Sequence, residues 1–277
     1  MRPKKYLGQN FLINETILPQ IIEAADISKD DTIIEVGPGF GILTEALLKT
    51  GAKVFAIEKD FDLIAGLTQK FGNHKNIKIV HQDALFFDET MIGHPSTSLS
   101  SRALEPRLGA GYKVVSNLPF NVASPLIRKF LESSNPPELM IVMIQKEAAE
   151  KILAKPGDSE RGVLTLSIEF YADAEKVAIV SKNNFRPQPK VDAEIIKIKP
   201  IPHLPGEEKA VESKLFFRIV KAGFASKRRQ VHNSLAATLR MPKDEVLNIL
   251  KKAQIDPILR AEDLSLEDWI KLTKIFK

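Results

Sequence analysis

Residues 117 to 120 read Asn-Leu-Pro-Phe and follow the apolar run Lys113-Val114-Val115-Ser116, where a strand would deliver its last residue into a cleft. An exocyclic amine on an aromatic base is a poor nucleophile, because its lone pair is delocalised into the ring. A polar-Pro-aromatic turn can correct this. The amide oxygen of Asn117 and the carbonyl of Leu118 can accept the two N–H bonds, and Pro119 fixes the backbone between them. Phe120 offers a face on which a base can stack. An Asx-type turn with a core Phe uses the same four residues, so the tetrapeptide decides nothing alone.

Three other strand ends carry residues suited to a ligand. Thr32–Val36 is a β-rich run leading into the turn Gly37-Pro38-Gly39-Phe40-Gly41, and residues 42–48 then repeat apolar positions at helical spacing. Residues 54–57 end at Glu58, and residues 77–80 are followed by Asp83. The Gly-rich turn is not G-x-G-x-x-G, since the third glycine would fall on Ile42. Glu35 before the turn and Asp83 opposite it also disfavour a pyrophosphate. A cationic ligand bearing a ribose suits the set better: Glu58 for the two ribose hydroxyls, Asp83 for an adenine amino group, and Gly37 and Gly39 for close backbone approach. Solvated carboxylates and a plain tight turn would explain each position singly, but not all four strand ends at once.

The elements that must hold these residues alternate. Helices are expected over 61–71 and about 124–131, and a fifth strand over 139–144, which implies an α/β domain with a doubly wound, mainly parallel sheet. In such sheets ligands bind beyond the carboxyl ends of the strands, near the point where strand order reverses. Residues 164–170, 174–180 and 193–198 read either as three strands or as one helix plus a hairpin. The Pro-rich stretch 200–206 ends this pattern. Beyond it the apolar stripes are helical, so two domains are expected, 1–201 and 202–277. Residues 90–111, rich in Ser, Gly and Pro, read as a long loop.

Composition excludes several classes. With no cysteine in 277 residues there is no disulfide, thiolate nucleophile or cysteine-ligated zinc, and five scattered His offer no metal spacing, so no metal is expected. No run approaches the roughly 20 apolar residues of a membrane span, and the N-terminus lacks a secretory apolar core. A cytoplasmic monomer is the expectation. The formal charge of +5 is modest, so its placement matters more: Arg2, Lys4 and Lys5 form a basic arm, and Lys221, Lys227, Arg228 and Arg229 are expected to line two helices of the second domain.

Seven segments in order resemble one family: Gly8–Leu12, Glu35–Thr44, Glu58–Asp60, Gln82–Leu85, Asn117–Asn121, Phe185–Asp192 and Ala225–Leu235. The chain is similar over nearly its whole length to the ribosomal RNA adenine N6,N6-dimethyltransferases, class I S-adenosylmethionine enzymes with a Rossmann-like sheet and a small all-helical C-terminal domain. Asn-Leu-Pro and the Phe-x-Pro-x-Pro-Lys-Val-Asp run favour the small-subunit enzymes over the resistance enzymes. The resemblance implies dimethylation of two adjacent adenines in a hairpin near the 3′ end of small-subunit (16S) rRNA, on naked RNA or an immature subunit. It also implies that Asn10 and Leu12 cover S-adenosylmethionine, Gly37 lines it, Glu58 and Asp83 hold its ribose and adenine, and Asn117 meets both its methionine end and the target amine. Phe185 would close the far side of the target base, and Lys227, Arg228 and Arg229 would bind RNA. The family usually has Tyr where Phe120 stands, which costs a hydroxyl and keeps the stacking face. A small-molecule methyltransferase would share the first three strand ends without needing Asn-Leu-Pro-Phe or a basic helical appendage. A non-catalytic assembly factor on the same fold would have no use for Glu58, Asp83 and Asn117.

Overall fold

The computed structural model describes residues 4, 8–88, 111–201 and 208–276. Arg2 and Lys5 of the basic arm, positions 90–110 of the expected loop and linker positions 202–206 lie outside them. Contacts divide the chain into two compact units, Met1–Ala149 with Ala172–Pro200, and Glu150–Tyr171 with Ile201–Lys277.

The first unit begins with a two-residue strand β1 (Phe11–Leu12) and helix α1 (Leu18–Ala25). There follow β2 (Thr32–Val36), α2 (Ile42–Lys49), β3 (Lys53–Glu58), α3 (Phe61–Phe71), β4 (Ile77–His81), β5 (Lys113–Asn117), α4 (Ala123–Glu132) and β6 (Leu139–Gln145). Helix α5 (Lys146–Leu153) leads out of the sheet and α6 (Val163–Glu169) follows; β7 (Ala172–Val180), β8 (Phe185–Arg186) and β9 (Ala193–Pro200) complete the strands. The main sheet has the order β4-β3-β2-β5-β6-β9-β7. Its first five strands are parallel, and β9 pairs antiparallel with both β6 and β7. Of the two readings of residues 164–198, one helix plus a hairpin is therefore the observed one.

The strands are apolar almost throughout because both faces of the sheet are buried. Ile33, Val54, Ala56, Val115, Ile141 and Met143 share one cluster with Ile21 of α1, Leu47 of α2 and Leu63, Leu67 and Phe71 of α3. Their neighbours Ile34, Phe55, Ile57, Val114, Met140 and Val142 are equally buried and, by strand alternation, face the other side. Strand order reverses between β2 and β5, which pair in parallel through Ile33↔Lys113 and Ile34↔Val114. The buried Ser116 hydroxyl donates to the Val36 carbonyl at 2.6 Å, fixing the ends of these two strands side by side. A crevice must open there, flanked by Gly37 and Asn117.

The second unit contains α6, α7 (Glu208–Gly223), α8 (Val231–Leu239), α9 (Lys243–Lys252) and α10 (Leu266–Ile275). Leu166 of α6 is buried with Phe216, Leu235, Val246, Leu250, Trp269 and Leu272. The fully buried guanidinium of Arg161 pairs with both oxygens of Glu169 at 2.7 and 2.8 Å and donates to the carbonyls of Ala154 and Leu264. Such a buried charge is tolerated only when it is paired and hydrogen-bonded. Residues 150–171 therefore group with the C-terminal helices and not with the rest of the expected 1–201 domain. Their sequence hides this, because Leu164–Phe170 is too short to reveal which core it completes.

Candidate functional site

Four strand ends of the first unit meet at one cavity of about 220 Å³. Its walls include Gly37 and Gly39 after β2, Glu58 closing β3, Asp83 just beyond β4, and Asn117, Leu118, Pro119 and Phe120 at the end of β5. Asn10 and Leu12 border it from the N-terminal segment. Of the catalytic and cofactor residues singled out from sequence in this unit, Phe185 alone is not on the wall. It is fully buried in β8, with its ring edge-on to Phe120 at a centroid distance of 6.3 Å. A face with no exposure cannot stack on a base, so its place is behind Phe120.

The turn after β2 is built for close approach. Gly37 and Gly39 have φ of 68° and 59°, the left-handed region that side chains avoid. A Cβ on Gly39 would lie 2.8 Å from the Phe11 ring, so the N-terminal segment could not pack over the turn. The turn is also tied to Glu58, whose carboxylate accepts the Gly39 N–H at 3.4 Å and the Asp60 N–H at 2.8 Å. Burial pushes the Glu58 carboxyl above its ordinary value, against the pull of those N–H groups. Asp83 is less enclosed. Partial burial works against its ionised form, but the Lys59 ammonium at 2.8 Å and the Leu85 N–H at 3.0 Å outweigh it and hold the group below its usual range.

Glu35 does not supply the negative charge that its position suggested. Complete burial pushes its carboxyl up to about 8, while its hydrogen bond from the Thr44 hydroxyl at 2.6 Å pulls the other way. At neutral pH it is a protonated, structural group. Of the three carboxyls here, Asp83 is the one held below its ordinary value.

Asn117 has the most informative geometry. Its Nδ2 donates to the Asn10 carbonyl at 3.2 Å, which fixes the amide plane. Its Oδ1 is buried and accepts no hydrogen bond from the protein. An orphaned buried acceptor costs about 1 to 3 kcal/mol and is rare in a folded protein. On the cavity wall, beside the half-buried Phe120, it is an acceptor open to a ligand donor. The turn behind it is rigid: Leu118 N–H donates to Met143 O at 3.1 Å and Val122 N–H to Pro119 O at 3.1 Å.

A family model described as ribosomal RNA adenine dimethylase matches residues 1–277. The chain belongs to this family. It is 42% identical over 273 residues to ribosomal RNA small subunit methyltransferase A of Dehalococcoides mccartyi strain BAV1, covering 98% of this chain and 88% of that one. The protein of the same name from Clostridium botulinum strain Langeland is 39% identical over 269 residues, covering 97% and 92%. Among solved structures, a dimethyladenosine transferase from Plasmodium falciparum superposes with a TM-score of 0.74 at 25% identity, covering 95% of each chain. The 23S rRNA methyltransferase ErmE gives 0.69 at 25% identity, covering 96% of this chain and 99% of that one. The fold is that of the class I methyltransferases, with a helical C-terminal region.

In the second unit, Lys227, Arg228 and Arg229 are exposed as expected, but they occupy the turn between α7 and α8 and not the helices themselves. Lys221 is exposed near the end of α7. Lys4, read from sequence as part of a basic arm, is committed to Asp60 at 2.5 Å and Asp62 at 2.7 Å. Sequence reasoning gave Asp60 and Gln9 no role. The signal available was slight: Asp60 two residues before Asp62 at a helix start reads only as a cap. Among the described residues no helix is long and apolar enough to cross a membrane.

Proposed function

We propose that this protein uses S-adenosylmethionine to dimethylate the N6 amines of two adjacent adenines in a hairpin near the 3′ end of small-subunit (16S) rRNA, during maturation of that subunit in the cytoplasm. Membership of the adenine dimethylase family and the names of its relatives support the reaction and substrate. The observation that carries the site is the buried, unpartnered Oδ1 of Asn117 at the mouth of the Asn-Leu-Pro-Phe turn.

The residues present suit the cofactor. Glu58 takes the ribose hydroxyls and Asp83 the adenine amino group, and the left-handed turn through Gly37 and Gly39, packed under Phe11, sets backbone against the ligand. Asn10 and Leu12 cover it, and Asn117 also meets its methionine end. Bound there, S-adenosylmethionine supplies a methyl carbon already activated by a sulfonium. The protein's task is then proximity and alignment, not acid–base help. Oδ1 of Asn117 and the Leu118 carbonyl accept the two N–H bonds of the target amine and draw its lone pair out of conjugation. Pro119 holds these acceptors at a fixed spacing, Phe120 stacks on the flipped base, and Phe185 braces Phe120 from behind. No side chain needs to act as a base, since the nitrogen proton turns acidic only once the amine is alkylated. Unstacking the adenine costs a few kcal/mol, and phosphate contacts by Lys227, Arg228 and Arg229 offset it.

The test is incubation of the protein with labelled S-adenosylmethionine and immature small subunits or naked 16S rRNA, followed by nucleoside analysis. N6,N6-dimethyladenosine is the expected product. Label appearing only in a small molecule, or no transfer from a protein that binds cofactor normally, would refute the proposal.

A further inference from the structure

Asp60 is only 3% exposed, yet its carboxylate does more than begin a helix. Oδ1 accepts the Asp62 N–H at 3.1 Å, the ordinary cap of α3. The same oxygen takes the Lys4 ammonium at 2.5 Å, and Oδ2 takes the Gln9 side-chain amide at 2.7 Å. Gln9 in turn accepts the Lys4 backbone N–H at 2.7 Å, so the two donors arrive as one unit. A helix cap needs one acceptor; the ion pair and the second oxygen are surplus to it. On its other side, the Asp60 N–H is what holds Oε1 of Glu58 at 2.8 Å.

We propose that Asp60 is a positioning residue for the methyl-transfer site: its side chain latches the N-terminal segment across the cavity while its backbone orients the Glu58 carboxylate. The segment so held carries Asn10, whose carbonyl fixes the Asn117 amide, and Phe11, whose ring packs on Phe40 of the Gly-rich turn at 4.4 Å. One buried carboxylate thus couples the group that receives the ribose to the strap that covers it. Lys4 and Gln9 are the partners of the Asp60 carboxylate in this latch. This rests on the proposed roles of Glu58, Asn10 and Leu12.

The test uses Asp60→Asn, Lys4→Met and the double variant in the full chain. Asn caps a helix as well as Asp does, so Asp60→Asn keeps α3 and loses the ion pair. Each single variant is expected to raise KM for S-adenosylmethionine roughly threefold to tenfold, as for a partly exposed charge-assisted bond, with kcat at saturating cofactor within about twofold. Amide exchange over residues 8–12 should quicken in the cofactor-free protein, with thermal stability unchanged. The double variant should cost less than the sum of the two single ones, since both lose the Lys4–Asp60 contact while only Lys4→Met also loses the Asp62 pair. Unchanged exchange over residues 8–12 overturns the latch, whether or not KM moves, and so does strict additivity. Exchange is read without cofactor, so it stands apart from the Glu58 assignment. That assignment fails separately if Glu58→Ala binds cofactor at wild-type affinity.

Discussion

Replacing Glu35 by Gln should change how the stability of the protein depends on pH. The folded carboxyl titrates at about 8 against an ordinary value of 4.5, because burial disfavours its charge. A folded value raised above the unfolded one means that the native state holds the proton more tightly. The group's contribution is therefore fully present below the unfolded value and is lost as pH rises through the folded one. The whole window spans about 5 kcal/mol at 1.36 kcal/mol per unit, and the part falling between pH 6 and pH 8 is about 2 kcal/mol. Gln keeps the volume and can still meet the Thr44 hydroxyl, but has no proton to lose. Denaturant unfolding of both proteins at pH 6, 7, 8 and 9 measures the difference. The variant should match wild type only below about pH 4.5, and relative to its standing at pH 6 it should gain about a further 2 kcal/mol by pH 8. A constant offset across that range would show that Glu35 is not protonated in the fold, and would return a negative charge to the cavity.

Glu58→Ala should weaken S-adenosylmethionine binding by about 2 to 3 kcal/mol, as for lost charge-assisted hydrogen bonds; calorimetry on the folded variant checks it, and unchanged affinity removes the ribose role. Asn117→Ala and Phe120→Ala should each reduce methyl transfer far more than RNA affinity, whereas equal loss of both would make the turn structural. Gly39→Ala should weaken cofactor binding and loosen the N-terminal segment, since its Cβ would meet the Phe11 ring at 2.8 Å in a left-handed backbone; wild-type affinity would show that the turn can shift freely. Loss of both Arg228 and Arg229 should lower RNA affinity and flatten its salt dependence while cofactor binding stays intact. Wild-type methylation with an unchanged salt slope would mean that RNA docks elsewhere.

The parallel core was legible because each of its strands is a short β-branched run bounded by a turn, and α2 and α3 carry apolar residues at helical spacing. Elements whose stability comes from a distant partner were not. Strands β1 and β8 are two residues each and exist only by pairing Phe11 with Arg186 and Leu12 with Phe185, a contact spanning most of the catalytic unit. No period is visible in two residues. Helix α6 was ambiguous for the same reason: its buried face is completed by residues 50 or more positions downstream, such as Phe216 and Leu235.

The candidate site divides along the same line. Strand ends converge by topology, so Gly37, Glu58, Asp83 and Asn117 could be placed together from the strand pattern alone. Charge state could not, because it depends on what surrounds a group in space. Glu35 and Glu58 both look like ordinary carboxylates in the sequence, yet complete burial pushes the first up to about 8, and burial raises the second against the pull of two backbone N–H donors. Lys4 shows the converse. A basic residue near a terminus reads as a solvated charge, and only the fold brings it 56 positions away to a buried aspartate. Once that pair exists, Lys4 is held by carboxylates and is not free to reach for phosphate, while Gly8, Gln9, Asn10, Phe11 and Leu12 of the same segment line the cavity.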